Sequence, residues 1–181
     1  SSDLADDPKP LQYISEAYKE MGDEDKALEY NQQYMDKNPN AAPTDFMKLA
    51  EIYVNKAKKD PAKKVENIDK AIAVYAKLAE KYPTLKPFAK LQEGNTAFQN
   101  ELDDKAIAAY TEVINELEAK QCDEDELSYL KTSYQYMGFI YTYDKQDFNT
   151  AKPYWDKLLK LDPQNKLAND AYEKAGLKPG E

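Results

Sequence analysis

Asp103-Asp104-Lys105-Ala106-Ile107-Ala108-Ala109-Tyr110-Thr111-Glu112-Val113-Ile114 is the stretch whose reading decides the fold. Ala106, Ile107, Tyr110, Val113, Ile114 and, one step on, Leu117 recur every three or four residues, which puts them on one face of a helix. The same pattern recurs three more times. Asp25-Lys26-Ala27-Leu28 leads to Tyr30, Asp69-Lys70-Ala71-Ile72 leads to Tyr75, and Ala151 leads to Trp155, with Lys152 breaking the pattern. Ahead of each alanine lies a second amphipathic stretch with a small residue at its middle: Ser15, Ala50, Gly94 and Gly138. Gly inside a helix costs about 1 kcal/mol against Ala, so these positions predict a neighbouring helix too close for a larger side chain.

Each unit is therefore expected to be a helix, a turn and a second helix. Pro39, Pro83 and Pro163 each follow Asn, Tyr or Asp and are placed to stop the second helices, because Pro cannot continue the backbone ladder. Pro43 and Pro87 then stand where a first helical turn tolerates Pro. From small residue to alanine the separation is 12 positions in units one and three, 13 in unit four and 21 in unit two.

Four such units in order resemble the tetratricopeptide repeat family over residues 8–165. The resemblance implies an all-α fold, a right-handed α-solenoid of about four helix–turn–helix repeats. The repeats fall at about 8–41, 43–85, 87–120 and 131–165, with a spacer at 121–130. Residues 1–7 are read as an N-terminal extension or the tail of an earlier repeat. Residues 166–181 are read as a capping helix and tail, with Leu167, Ala168, Ala171 and Tyr172 as its apolar stripe and Gly176 as its stop. Two departures stand out. Glu93 occupies a place where the family prefers Leu, and repeat two carries about nine extra residues.

Composition removes several function classes. The chain has 181 residues, 25 basic against 34 acidic and none of them His. All the basic residues are Lys, so neither a histidine base nor a bidentate guanidinium clamp is available. A net charge of −9 repels a phosphate backbone, so nucleic acid is not an expected partner. A single cysteine, Cys122, excludes an internal disulfide and a thiolate zinc site, and its acidic neighbours disfavour the reactive thiolate. A calcium loop over 144–156 fails because Phe148 stands where an oxygen ligand belongs. No catalytic centre, cofactor or metal is expected, nor a membrane span. The Arg-free, Lys- and Tyr-rich composition resembles that of exported or periplasmic bacterial proteins.

In the family the first helices line a concave groove that takes a peptide or partner segment. Mapped onto this sequence, the second half of the groove is aromatic and amide-rich: Gln92, Asn95, Phe98, Gln135, Tyr136, Phe139 and Tyr143. Aromatic anchors flanked by amides suit a peptide backbone with an apolar side chain. The opposing expectation is that Phe98 and Phe139 are packing residues. The leading function is thus a non-catalytic protein–protein interaction scaffold. The alternatives are a structural or self-associating segment of a larger repeat assembly and a carbohydrate-binding exported protein. Two charge clusters, Lys56 to Lys64 and Glu116 to Glu126, are read mainly as a solvated turn and loop, and otherwise as docking handles.

Overall fold

The computed structural model describes residues 7–180, so the reading of residues 1–7 lies outside it except for Asp7. The described residues form nine α-helices and no strand, in two compact units that divide between Ala89 and Lys90.

In the first unit α1 (Lys9–Glu20) is followed by α2 (Glu24–Lys37), α3 (Pro43–Lys59) and α4 (Lys64–Lys81). Gly22 takes the left-handed φ of +78° that the first turn needs, and Asp23 then caps α2 by accepting from the Lys26 N–H at 3.1 Å. The predicted close approach is present. Ser15 is buried and its hydroxyl donates to the Ala27 carbonyl oxygen at 2.7 Å, while Ala27, Ala50 and Ala71 are fully buried. Phe46, Leu49, Val74, Tyr75 and Leu78 fill the core around the second pair, and Leu28 and Met35 of α2 pack against it. The extra residues of repeat two lengthen its helices. α3 is five residues longer than α1 and α4 four longer than α2, joined by a short 3-10 turn at Pro61–Lys63.

The helix α5 (Lys86–Gln99) carries the division between the units at Ala89 and Lys90. The second unit continues with α6 (Asp103–Glu118), α7 (Glu124–Phe139), α8 (Phe148–Leu161) and α9 (Lys166–Ala175). Here the small residues are glycines for a measurable reason. A Cβ on Gly94 would lie 2.6 Å from the Tyr110 ring, and one on Gly138 would lie 2.5 Å from the Trp155 ring. Both rings are fully buried, so neither can yield. Gly176, with φ of +70°, ends α9, and its N–H reaches the Glu173 carbonyl at 3.0 Å.

Two sequence expectations are corrected and one feature is new. The 121–130 spacer is mostly helix. Asp123 caps α7 by accepting from the Glu126 N–H at 2.9 Å, and the Glu126 carboxylate returns the bond, so α7 starts at Glu124, seven residues before the expected repeat. Its acidic cluster is thus largely a helix start, where negative charge meets the helix dipole. The lysine cluster, read mainly as a solvated turn, is partly answered from α2, by Asp25 on Lys56 and by Glu24 on Lys59 at 3.0 Å. Finally, α7 runs on into a π-helical turn, Ile140–Asp144, which the sequence pattern did not announce.

Candidate functional site

The seven groove candidates all lie in the second unit, on α5, on α7 and on the π-helical turn. Gln92, Asn95 and Phe98 follow one another on one side of α5, and Gln135, Phe139 and Tyr143 stand four residues apart along α7 and its extension. All seven are half-buried.

The aromatic members touch. Phe98 lies 4.6 Å from Tyr136 and 5.6 Å from Phe139 between ring centres, the latter edge-on. Phe139 is 4.8 Å from Tyr143. On the inner side Tyr136 stacks on Tyr110 at 5.6 Å, an interplanar angle of 16°. The result is a continuous ladder Tyr110–Tyr136–Phe98–Phe139–Tyr143, buried at the Tyr110 end and half-exposed along the rest. Such offset and edge-on pairs are worth about 0.5–1.5 kcal/mol each beyond area burial, so the rings hold one another in place. Packing and accessibility therefore coexist in Phe98 and Phe139.

Two amides are oriented by their neighbours. The Tyr110 hydroxyl donates to Asn95 Oδ1 at 2.8 Å, which leaves the Asn95 N–H groups to donate elsewhere. Burial pushes the Tyr110 phenol well above its ordinary pKa and keeps it a donor. Asn165, the cap of α9, donates to Gln135 Oε1 at 3.2 Å.

The ladder's Tyr143 end opens into a cleft of about 420 Å³ lined by Thr142, Tyr143, Gln146, Phe148, Ala171 and Lys174. Lys174 sits 4.4 Å above the Tyr143 ring, a cation–π contact, at the end of α9 where a cation also suits the helix dipole. The π-helical turn shapes this end. It turns Thr142 inward to accept from Trp155 Nε1 at 2.9 Å, while Tyr143 stays on the ladder.

Sequence reasoning missed Lys174 because contact across α9 has no local signature, and it placed Tyr110 only in the core. Leu91 of α5 and Thr142 of the π-helical turn, close to these residues in sequence, are both buried. Cys122 donates toward the Leu117 carbonyl at 3.3 Å, and burial pushes its thiol above the usual range. Beside the ladder Glu93 is buried with Oε1 lacking a hydrogen-bond partner, and Lys90 reaches its other oxygen at 3.0 Å. Burial pushes the Glu93 carboxyl up despite that lysine.

Stacked helix pairs with glycines under buried rings and an open ladder of side chains define a helical-repeat protein. The family model described as tetratricopeptide repeat matches residues 11–41 and 46–84, both in the first unit, so these two segments are similar to tetratricopeptide repeats. No curated protein matches in sequence. Among solved structures, the human IFIT1 dimer with PPP-AAAA is similar at 18% identity and a TM-score of 0.60, over 94% of this chain and 37% of IFIT1. The chain thus spans little more than a third of that protein. The thermophilic TPR protein TTC0263 of Thermus thermophilus is similar at 22% identity and a TM-score of 0.50, over 93% of this chain and 81% of its own. These likenesses are likenesses of fold, and the fold is a helical-repeat fold.

Proposed function

We propose that this chain is a non-catalytic scaffold that holds an extended peptide segment of a partner protein along the aromatic ladder of its second unit. The observation that carries this reading is the continuity of the half-exposed rings Tyr136, Phe98, Phe139 and Tyr143. Pre-packed aromatics offer an apolar side chain a rigid surface at little entropic cost. The flanking amides Gln92, Asn95 and Gln135 supply hydrogen bonds of both kinds, as a peptide backbone requires.

The IFIT1 structure with PPP-AAAA raises RNA as a competing ligand, since exposed rings can also stack on bases. The charge balance opposes it. A chain at −9 without arginine gives a poor field for phosphates, and the expected RNA affinity is weak and falls steeply with salt.

The test is to select peptides from a displayed random library against the full chain. The best binders are then measured by calorimetry on the parent and on Phe98→Ala/Phe139→Ala. Loss of at least about tenfold in affinity, with thermal unfolding of the variant still cooperative, is expected for truncated aromatic anchors. Equal binding to both proteins overturns the ladder as the site. A 5′-triphosphate A-tract oligonucleotide that binds where no peptide is selected overturns the peptide reading.

A further inference from the structure

The cleft at the Tyr143 end of the ladder differs in charge from two other clefts of the molecule. One of about 520 Å³ beside α2 and α4 is lined by several acids, and its Lys56, Lys59 and Lys70 are paired with Asp25, Glu24 and Glu66. One of about 350 Å³ at the turn from α5 to α6 is lined by Asp103 and Asp104, and Asp104 takes Lys145 at 2.8 Å. Acids on such surfaces are expected in a chain that has 34 of them. The Tyr143 cleft has none in its lining, and Lys174 is its one charged member among the described residues. Among those residues no carboxylate pairs with Lys174 either. Its ammonium rests on the Tyr143 ring at 4.4 Å, and Asp170, one turn back on α9, is taken by Lys166. A ring face occupies one side of an ammonium and leaves N–H donors open on the other.

We infer that this cleft takes an acidic side chain of the bound segment, two residues before or after the apolar side chain received by the Phe98 and Phe139 rings. The inference rests on the peptide reading above and adds to it a residue type and a register. The distances carry the spacing. Tyr143 lies 4.8 Å from Phe139, and the Lys174 ammonium lies 4.4 Å from Tyr143. Alternate residues of an extended chain point to one side and stand about 6.5–7 Å apart, so a single such step carries a ligand from the ring pair to the ammonium. The walls suit the side chain. Phe148 and Ala171 offer apolar contact to the stem of a Glu or Asp, and Gln146 brings an amide for the adjoining peptide group. The rest of the chain sharpens the choice. At a net charge of −9, an acid shifted to another register meets a repelling field, which Lys174 offsets at this one place. The lysine thus fixes where the segment lies along the rings.

The probes are the peptides selected from the displayed library on the full chain, made with acetylated and amidated ends. Each is paired with a version whose acidic residue is changed to the matching amide. Calorimetry is run on the parent, Lys174→Gln and Lys174→Arg. Lys174 is exposed, so neither substitution is expected to move thermal unfolding. The selected peptides are expected to carry Asp or Glu two residues from an apolar side chain. Removing either charge is expected to weaken binding about threefold to fivefold, the range of an ion pair at an open site. Removing the second charge is expected to cost nothing more, Lys174→Arg to bind like the parent, and the loss to shrink in roughly 0.5 M salt. Losses that multiply overturn the inference, and so do selected peptides without an acid at that spacing. Binding that needs a free carboxyl end, and is lost on amidation, makes the chain terminus the source and overturns the side-chain assignment. Phe98→Ala/Phe139→Ala separates the two readings. Peptides weakened by that variant but indifferent to Lys174→Gln leave the ladder standing and this inference fallen. Peptides indifferent to both variants, or a library that yields no binder, overturn both.

Discussion

The two units solve one contact in opposite ways. In the first, Lys19 of α1 meets Glu51 of α3 at 2.9 Å. Lys19 lies four residues after its small residue and Glu51 one after. The residues at those same places in the second unit are Phe98 and Phe139, 5.6 Å apart between rings. Glu16 and Lys48, also ion-paired, correspond to Asn95 and Tyr136. One register thus carries ion pairs between first helices in one unit and a ladder of rings in the other. The backbone arrangement tolerates either. Exposed ion pairs contribute little to stability and leave nothing apolar to offer a ligand. Half-exposed rings give up some solubility in exchange for an apolar surface, which the proposed function uses as its binding face.

The largest effect tests how the second unit supports that face. Trp155 is fully buried, lies against Gly138 and donates to Thr142 within the π-helical turn. Trp155→Ala is expected to cost about 3–5 kcal/mol in urea denaturation, as large-to-small core changes do. Gly138→Ala alone is expected to cost about 1–3 kcal/mol, because its Cβ has no room beside the ring. With the ring removed that cost should vanish, so the double variant is expected to be no less stable than Trp155→Ala. Additive losses would show that the glycine is there for another reason.

A smaller effect concerns Glu93, whose place the family usually gives to Leu. Its carboxyl is buried beside Lys90 with one oxygen unpartnered, and burial raises its pKa. A carboxyl raised in the folded state favours folding below its unfolded pKa, and that contribution is lost as pH rises through the folded value. Glu93→Gln is therefore expected to stabilise at pH 7 by about 1 kcal/mol, the scale of an unsatisfied buried polar group. The gain should shrink as pH falls toward 4.5, the ordinary value for a glutamate carboxyl. A gain independent of pH would show that the carboxyl titrates alike in the folded and unfolded chains and is not raised by burial.

Much of this was legible from residues alone. Gly94 and Gly138 announced a close approach, since nothing else justifies glycine in a helix, and Ala27, Ala71, Ala106 and Ala151 marked its other side. The start of α7 was harder to see, because Asp123 to Glu126 read as a solvated acidic run until the cap bonds are drawn. Phe98 and Phe139 were found by mapping the family's groove onto the sequence, but such a mapping gives a direction and not an exposure. Whether a ring on that side is core or surface depends on a neighbour 41 residues away along the chain. Lys174 and the π-helical turn left no trace, since both depend on how α9 settles over the end of α7.

The smallest effect is the most direct measure of the contrast. A double-mutant cycle on Lys19 and Glu51, each changed to Ala, is expected to give a coupling of about 0.2–1 kcal/mol that falls further in roughly 1 M salt. The matching cycle on Phe98 and Phe139 is expected to give about 0.5–1.5 kcal/mol that salt does not reduce. The side chains of Lys19 and Glu51 are 25% and 55% exposed, so water screens their attraction, whereas ring contacts act through dispersion and quadrupole terms that ions screen little. Equal couplings with equal salt response would mean that the ladder is ordinary packing in a different residue alphabet. Unequal ones would mean that the second unit spends its first-helix contact on holding rings in fixed positions, as a surface meant for a ligand requires.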